Sequence, residues 1–249
     1  MKLYGLQKMT LLDFPGHVAC TVFLGGCDFR CPFCHNFELA DGSAPPVMEE
    51  EELFSFLGKR KGLLDGVAIT GGEPCLHRDL PDLLRQIRSL GFMTKLDTNG
   101  NHPEVLRQIL EEGLADYVAM DIKNSPARYA ETAGLAQFDL SKVRESVNMI
   151  MEAGTAGPSG HGKANPAGKE KSSLLSYEFR TTVVKEFHRA EDFEEIGQWI
   201  AGAQAYFLQS FTDRDTVPYG NLHAPSKEEL EEFRRIAAAY VPDTQIRGV

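Results

Sequence analysis

Short runs rich in Val, Ile, Phe and Thr alternate along the chain with segments whose apolar residues recur at helical spacing, the pattern of βα units laid on a parallel sheet. The runs fall at residues 18–24, 66–70, 93–98, 117–122, 177–184 and 205–209. Between them, Leu80, Leu83, Leu84, Ile87 and Leu90 follow Asp79, a candidate N-cap, and predict an amphipathic helix whose apolar stripe covers the sheet. A second helix is expected to start at Pro103, carry Val105, Leu106, Ile109 and Leu110, and stop at Gly113, with Pro at its start and Gly past its end. The last opens on the capping-box spacing of Ser226 and Glu229 and runs through Leu230, Phe233 and Ala237. Fainter helical patterns cover 49–59, 141–153 and 191–200. Six βα units are fewer than the eight of a closed barrel. The expected architecture is therefore α/β, an incomplete (β/α)6 barrel of TIM type, laterally open, with its chemistry at the C-terminal ends of the strands.

The rhythm breaks at 155–173 (TAGPSGHGKANPAGKEKSS), which lacks any large apolar anchor and reads as a flexible surface insertion in one domain spanning 1–249. Its Lys163, Lys169 and Lys171 read as solvated. With 42% hydrophobic and 25% charged residues, the composition is that of a soluble globular chain. A net charge of -10 offers no electrostatic footprint for a phosphate backbone, so no nucleic acid is expected as a partner. The longest strongly apolar stretch, 18–24, is far short of the roughly 20 residues that span a bilayer, and no export-signal pattern precedes it. No membrane association and a cytoplasmic location are the corresponding expectations. Five cysteines, three of them within 27–34, argue against a disulfide framework and for a metal.

Gly25-Gly26-Cys27-Asp28-Phe29-Arg30-Cys31-Pro32-Phe33-Cys34-His35-Asn36 follows the first apolar run and places three thiols, spaced C-x3-C-x2-C, on one loop. Thiolates are the ligands that iron-sulfur clusters select, and a short glycine-preceded loop can wrap three corners of a cubane, leaving its fourth iron without a protein ligand. A structural zinc site needs a fourth Cys or His, and His35 adjoins Cys34 too closely to serve well. A zinc or electron-carrier module without catalysis remains the alternative of another class. Gly71 and Gly72 mark a close approach of backbone to something, with Glu73 offering an acceptor beside it; the plain reading is a tight turn with a solvated Glu. Lys123 and Arg180 are cations at strand positions, costly to bury without anionic partners, although Arg180 also suits an exposed strand edge. Cys20 and Cys75 read as buried small hydrophobes and His35 as a hydrogen-bonding loop residue.

The cysteine loop, with Phe33 before its last thiol, resembles the signature of the radical S-adenosylmethionine superfamily. Gly71-Gly72-Glu73-Pro74, Asp97-Thr98-Asn99-Gly100 and Asp121-Ile122-Lys123 stand at expected strand ends, as that superfamily's motifs do. Leu12-Asp13-Phe14-Pro15-Gly16 and Val22-Phe23-Leu24-Gly25-Gly26-Cys27 narrow the likeness to glycyl-radical-enzyme activases, most of all the activating proteins of anaerobic ribonucleoside-triphosphate reductase. The likeness is strong over 1–123 and is carried further by the βα rhythm and Arg180.

The resemblance implies a 4Fe-4S cluster on Cys27, Cys31 and Cys34, whose open iron takes the amino and carboxylate groups of S-adenosylmethionine. It implies Gly71, Gly72, Glu73 and Pro74 about the methionyl amino group, Arg180 at the carboxylate, and substrate-side electrostatics for Lys123. Likeness to pyruvate formate-lyase activase implies a monovalent cation at Asp97, Thr98 and Asp121, where the residues alone equally allow ribose contacts or helix N-caps. No catalytic side chain beyond cluster and cofactor is implied. The implied reaction is reductive cleavage of S-adenosylmethionine to a 5′-deoxyadenosyl radical that takes hydrogen from a glycine of a partner enzyme, with flavodoxin or ferredoxin as electron donor. Another glycyl-radical enzyme, or a small molecule as in 7-carboxy-7-deazaguanine synthase, is the alternative target. Leu208-Gln209-Ser210-Phe211 lacks the histidine that some activases present to adenine, and no further cysteine cluster supplies a ferredoxin-like insert.

Overall fold

The computed structural model describes residues 1–156 and 174–248. A two-residue strand, β1 (Lys2–Leu3), leads into β2 (Gly5–Thr10) and β3 (Ala19–Leu24). After the cysteine loop come α1 (Phe37–Asp41), β4 (Met48–Glu49), α2 (Glu50–Gly58) and β5 (Gly66–Gly71). The regular alternation follows with α3 (Leu80–Ser89), β6 (Met93–Thr98), α4 (Pro103–Glu111), β7 (Tyr117–Asp121), α5 (Tyr129–Thr132), α6 (Ser141–Ala156) and β8 (Ser176–Val183). The described chain closes with α7 (Ala190–Trp199), β9 (Tyr206–Ser210), α8 (Lys227–Ala238) and β10 (Thr244–Arg247).

All six expected strands are present and lie side by side in parallel, in the order β9-β8-β7-β6-β5-β3. Two strands of this sheet escaped the sequence reading: β10 adds in parallel beyond β9, and β2 adds antiparallel beyond β3. A further two-stranded ribbon pairs β1 with β4. The architecture is the expected partial barrel, with one more parallel strand and an antiparallel edge. The expected insertion falls mostly on 157–173, outside the described residues; Thr155 and Ala156 belong to α6 rather than to it. Among the described residues no helix is long and apolar enough to cross a membrane.

Each central strand alternates between two environments. Leu96, Val118, Met120, Phe179, Thr181 and Val183 are buried on one face, where α3, α4 and α6 pack. The intervening positions, Lys95, Asp97, Tyr117, Asp121, Glu178 and Arg180, are polar and share the opposite, inner face. Parallel strands of this kind usually read as continuous apolar runs; here the barrel interior is charged. Caps were partly legible. The Ser226 hydroxyl accepts the Glu229 N–H at 3.1 Å and Glu229 accepts the Ser226 N–H at 2.7 Å, the expected capping box. Asp79 occupies the N-cap position of α3 but its side chain makes no capping bond, and Pro81 supplies the start signal instead.

The Asp13-Phe14-Pro15-Gly16 segment lies at the N-terminal end of the strands, away from the cysteine loop. Phe14 is buried, with its ring 6.2 Å from that of Tyr117, and a Cβ on Gly66 would lie 2.8 Å from it. Gly66 and Tyr117 open β5 and β7, so Phe14 plugs the floor of the barrel.

Glu178 is fully buried and accepts Tyr117 Oη at 2.6 Å, Arg247 Nη1 at 2.7 Å and Arg247 Nη2 at 2.8 Å, with the Arg247 guanidinium stacked 3.2 Å over Phe207. This two-pronged pair fastens β10 to the sheet. Arg247→Ala is expected to lower the stability read by urea unfolding by about 2 kcal/mol, less than for a fully buried pair because Arg247 keeps one side in water. Arg247→Lys recovers only part of that loss, since an ammonium cannot reproduce the fork.

Candidate active site

The cysteine loop leaves β3 at its C-terminal end and is tied down along its length. Gly26 N donates to Leu39 O at 2.7 Å and Cys27 N to Ala40 O at 3.2 Å, hanging the first thiol on α1. Arg30 N donates to Ala133 O, and the Arg30 guanidinium curls back onto the carbonyls of Cys27 (2.6 Å) and Phe29 (2.7 Å). His77 Nε2 donates to Gly25 O at 2.8 Å. His35 Nε2 donates to Thr212 O at 2.7 Å while its ring stacks on Phe211, 5.8 Å between centroids. His35 is thus the hydrogen-bonding loop residue it was read as, joining the thiol loop to the end of β9.

The close approach expected of Gly71 and Gly72 is to this loop's own main chain. Gly72 N donates to Leu24 O and Glu73 N to Gly26 O, both at 2.8 Å. A Cβ on Gly72 would fall 2.0 Å from Gly26 O, and one on Gly71, whose φ is +120°, would fall 2.2 Å from Leu24 O. The solvated-Glu reading fails, because Glu73 is fully buried. Its Oε1 accepts Cys75 N (2.9 Å) and Thr98 Oγ1 (2.7 Å), and its Oε2 accepts Asn99 N (2.6 Å). Three of its roughly four acceptor sites are therefore filled from within the protein. Burial pushes its carboxyl up to about 7, against the pull of those three donors.

A cavity of about 180 Å³ opens at these strand ends, lined by Cys31, Phe33, Cys34, His35, Asn36, Thr70, Gly71, Gly72, Glu73, Asp97, Thr98, Asn99, Asp121, Lys123, Arg180 and Thr182. Most of the expected site residues thus share one wall. Cys27 and Pro74 are not on it, and Cys75 is buried away from it, as Cys20 is from the loop.

The charged side chains below the cavity pair with one another. Arg180 contacts Asp121 through Nε and Asp97 through Nη2 at 3.2 Å; Lys123 pairs with Asp121 at 2.8 Å, and Lys95 with Asp97. Arg180 is a central-strand residue, paired in register with Asp121, and not the exposed strand-edge charge that the sequence also allowed. Asp97 and Asp121 are not N-caps: His102 and Arg128 hold those positions. Nor does the trio of Asp97, Thr98 and Asp121 fit a monovalent cation, since both carboxylates face fixed ammonium or guanidinium groups and the Thr98 hydroxyl donates to Glu73. Lys95 was missed; its signal was a lysine two residues before Asp97 on the inward face of a strand. Burial would raise Asp97 and Asp121, but Arg180, helped by Lys95 and Lys123 respectively, holds both carboxyls below their ordinary range.

The thiols suit a cluster. Burial pushes Cys27 up to about 12 and Cys31 up to about 11, so as bare thiols they stay protonated, and a thiolate here requires a metal to carry its charge. Cys27 Sγ receives the N–H of Phe29 at 3.4 Å and the amide of Asn99 at 3.8 Å, the outer donors that ligating sulfurs use. Among the described residues no three His, Cys, Asp or Glu side chains gather about a point where a single ion would sit.

A partial parallel barrel with a three-thiol loop over a polar cavity defines a class of metal-cluster enzyme. The chain belongs to the Radical SAM superfamily, whose sequence model matches residues 21–161. That membership implies a 4Fe-4S cluster and S-adenosylmethionine as its working groups. The chain is 29% identical over 250 residues to a candidate glycyl-radical enzyme activating enzyme of Methanocaldococcus jannaschii, covering 98% of this chain and 95% of that one. It is 32% identical over 132 residues to the pyruvate formate-lyase-activating enzyme of Clostridium pasteurianum, covering 49% and 52%. Over 154 residues it is 30% identical to the 7-carboxy-7-deazaguanine synthase of Thermococcus kodakarensis, covering 53% and 58%. The fold is similar to that of Streptococcus suis SuiB bound to S-adenosylmethionine, with a TM-score of 0.63 and 13% identity over 92% of this chain and 52% of that chain.

Two outcomes follow. Gly72→Ala drives a methyl into the Gly26 carbonyl and is expected to cost about 1–3 kcal/mol and to reduce iron uptake on reconstitution. Gly58→Ala, at the end of α2 with nothing within 4 Å of its Cβ, leaves iron uptake unchanged and does not lower stability. Asp121→Asn strands Lys123, leaves Arg180 on Asp97 alone, and is expected to cost the metal-free protein about 3 kcal/mol at pH 7, read from urea midpoints. The folded carboxyl titrates below its unfolded value of 3.8, so this advantage of the native residue is full above pH 4 and shrinks as the pH falls towards the folded value. An equal gap at pH 7 and pH 2 would contradict the pairing.

Proposed function

We propose that the chain is a glycyl-radical-enzyme activase, and that its partner is an anaerobic ribonucleoside-triphosphate reductase. The observation that carries the activase reading is the likeness to the Methanocaldococcus jannaschii candidate activase along essentially the whole of both chains; the reductase as partner rests on the segments 12–16 and 22–27. The Clostridium pasteurianum activase adds support over half of the chain. A flavodoxin or ferredoxin is the electron donor this reading calls for.

When bound, the cluster and S-adenosylmethionine together supply a 5′-deoxyadenosyl radical. The chain's own part is to hold and shield. Cys27, Cys31 and Cys34 would hold the cluster, and the carbonyls of Gly71 and Gly72 with the one open acceptor site of Glu73 would receive the methionyl ammonium. Arg180 has donors left after meeting Asp97 and Asp121, and it and Lys123 would meet the carboxylate. Phe33, packed 6.0 Å from Phe187, keeps the inner side of the loop dry.

A second reading, action on a small molecule, draws on the Thermococcus kodakarensis synthase, whose likeness covers only 53% of this chain. The two are separated by incubating reduced, reconstituted protein with S-adenosylmethionine and the reductase. The expected result is a glycyl radical in the spin-resonance spectrum, abolished by replacing any one of the three cysteines with alanine. A fully loaded cluster that releases 5′-deoxyadenosine but leaves no glycyl radical would refute the reductase as partner and leave another glycyl-radical enzyme or a small molecule as the target.

A further inference from the structure

The turn between β6 and α4 reaches across to the first cluster thiol. Asn99 is buried, and its main-chain N–H is fixed on Glu73. Its side-chain Oδ1 accepts the Asn101 N–H at 2.8 Å, which settles which end of the amide faces where. The NH2 end therefore faces the cysteine loop, 3.0 Å from Asp28 Oδ1 and 3.8 Å from Cys27 Sγ. An amide nitrogen carries two hydrogens, so the carboxylate takes one and leaves the other for sulfur. Asp28 is itself braced from the far side by the Asn101 Nδ2 and by His102 Nε2, 3.3 Å away. Asp28, Asn101 and His102 do not line the cavity.

We propose that Asp28, braced by Asn101 and His102, is a positioning residue that turns the Asn99 amide onto Cys27 Sγ, and that this N–H···S bond raises the reduction potential of the cluster. The inference rests on Cys27, Cys31 and Cys34 being the cluster ligands. An N–H donated to a ligating sulfur draws electron density from it and favours the state holding the extra electron. The charge of Asp28 acts in the opposite direction, so the two effects must be separated by the variants chosen.

Potentials are measured by redox titration of the reconstituted protein with spin-resonance detection, with iron and sulfide content and the Tm of the metal-free protein as controls. Asn99→Ala is expected to shift the reduced-to-oxidised equilibrium about tenfold towards oxidised, about 59 mV for one electron. Asp28→Asn and Asp28→Ala both remove the charge, but only the first keeps an acceptor for the Asn99 amide. The expected result is a lower potential for Asp28→Ala than for Asp28→Asn by a similar step, and loss of that difference when Asn99→Ala is also present. Should Asp28→Ala fail to take up a cluster, Asn101→Ala removes the brace with the cysteine loop intact and is expected to lower the potential. Equal potentials for the two Asp28 variants, an unchanged potential in Asn99→Ala, or an unchanged one in Asn101→Ala would overturn the positioning role while leaving the ligand assignment standing. A wild-type protein that binds no four-iron cluster would overturn the assignment and the inference with it.

Discussion

The upper end of the barrel depends on one place where two main chains meet with no room for a Cβ. Leu24 through Gly26 and Gly71 through Glu73 are zipped by two N–H···O bonds, at a spacing that only glycine permits. The contact sets the height of the thiol loop above the sheet. It also draws Glu73 inward, where its carboxylate reaches the Cys75 N–H, the Thr98 hydroxyl and the Asn99 N–H. One steric constraint thereby couples the ends of β3, β5 and β6, and the orientation of Asn99 against Cys27 is inherited from it.

A second constraint governs the barrel interior. Strands buried on both faces are usually apolar throughout, yet the inner positions of β6, β7 and β8 carry lysine, aspartate, glutamate and arginine. Such charges are tolerable only in mutual contact, because an unpaired ion in this setting costs several kcal/mol. The chain of Lys95, Asp97, Arg180, Asp121 and Lys123 meets that condition pair by pair and, with three cations to two carboxylates, leaves one positive charge in excess. Of its cations, Arg180 and Lys123 line the cavity and Lys95 does not.

These features differ in how far they could be read from the chain. The six central strands were legible because they are short runs rich in Val, Ile, Phe and Thr set between segments of helical spacing. The edges were not: β2 reads Gly-Leu-Gln-Lys-Met-Thr with Gln7, Lys8 and Met9 exposed, and β10 has only four residues. Local chemistry was legible where it needs no partner from elsewhere, as in the box closing on Ser226. The thiols and glycines were legible from spacing alone. The burial of Glu73, the pairing of Arg180 and the place of Lys95 were not, because each depends on which residue of a neighbouring strand stands in register. Asp28 is a spacer of the thiol loop and Asn101 and His102 lie just past the segment 97–100, so spacing alone assigned them no role, and only the meeting of two loops 71 to 73 residues apart in sequence gives them meaning.

Glu73 shows how the two constraints combine. Its three protein partners are all donors, an environment arranged for an ionised carboxylate, while its complete burial resists the charge and lifts its pKa to about 7. A group held between those tendencies gains most from a nearby cation. The lysines and the arginine below the cavity do not serve, since Asp97 and Asp121 already engage them. The remaining acceptor site on Oε2 therefore stands without a cationic partner among the described residues. Under the proposed function, the ammonium end of the cofactor's amino acid would supply the charge and the donors that this site lacks, while Lys123 and Arg180, which line the same cavity, would face its carboxylate.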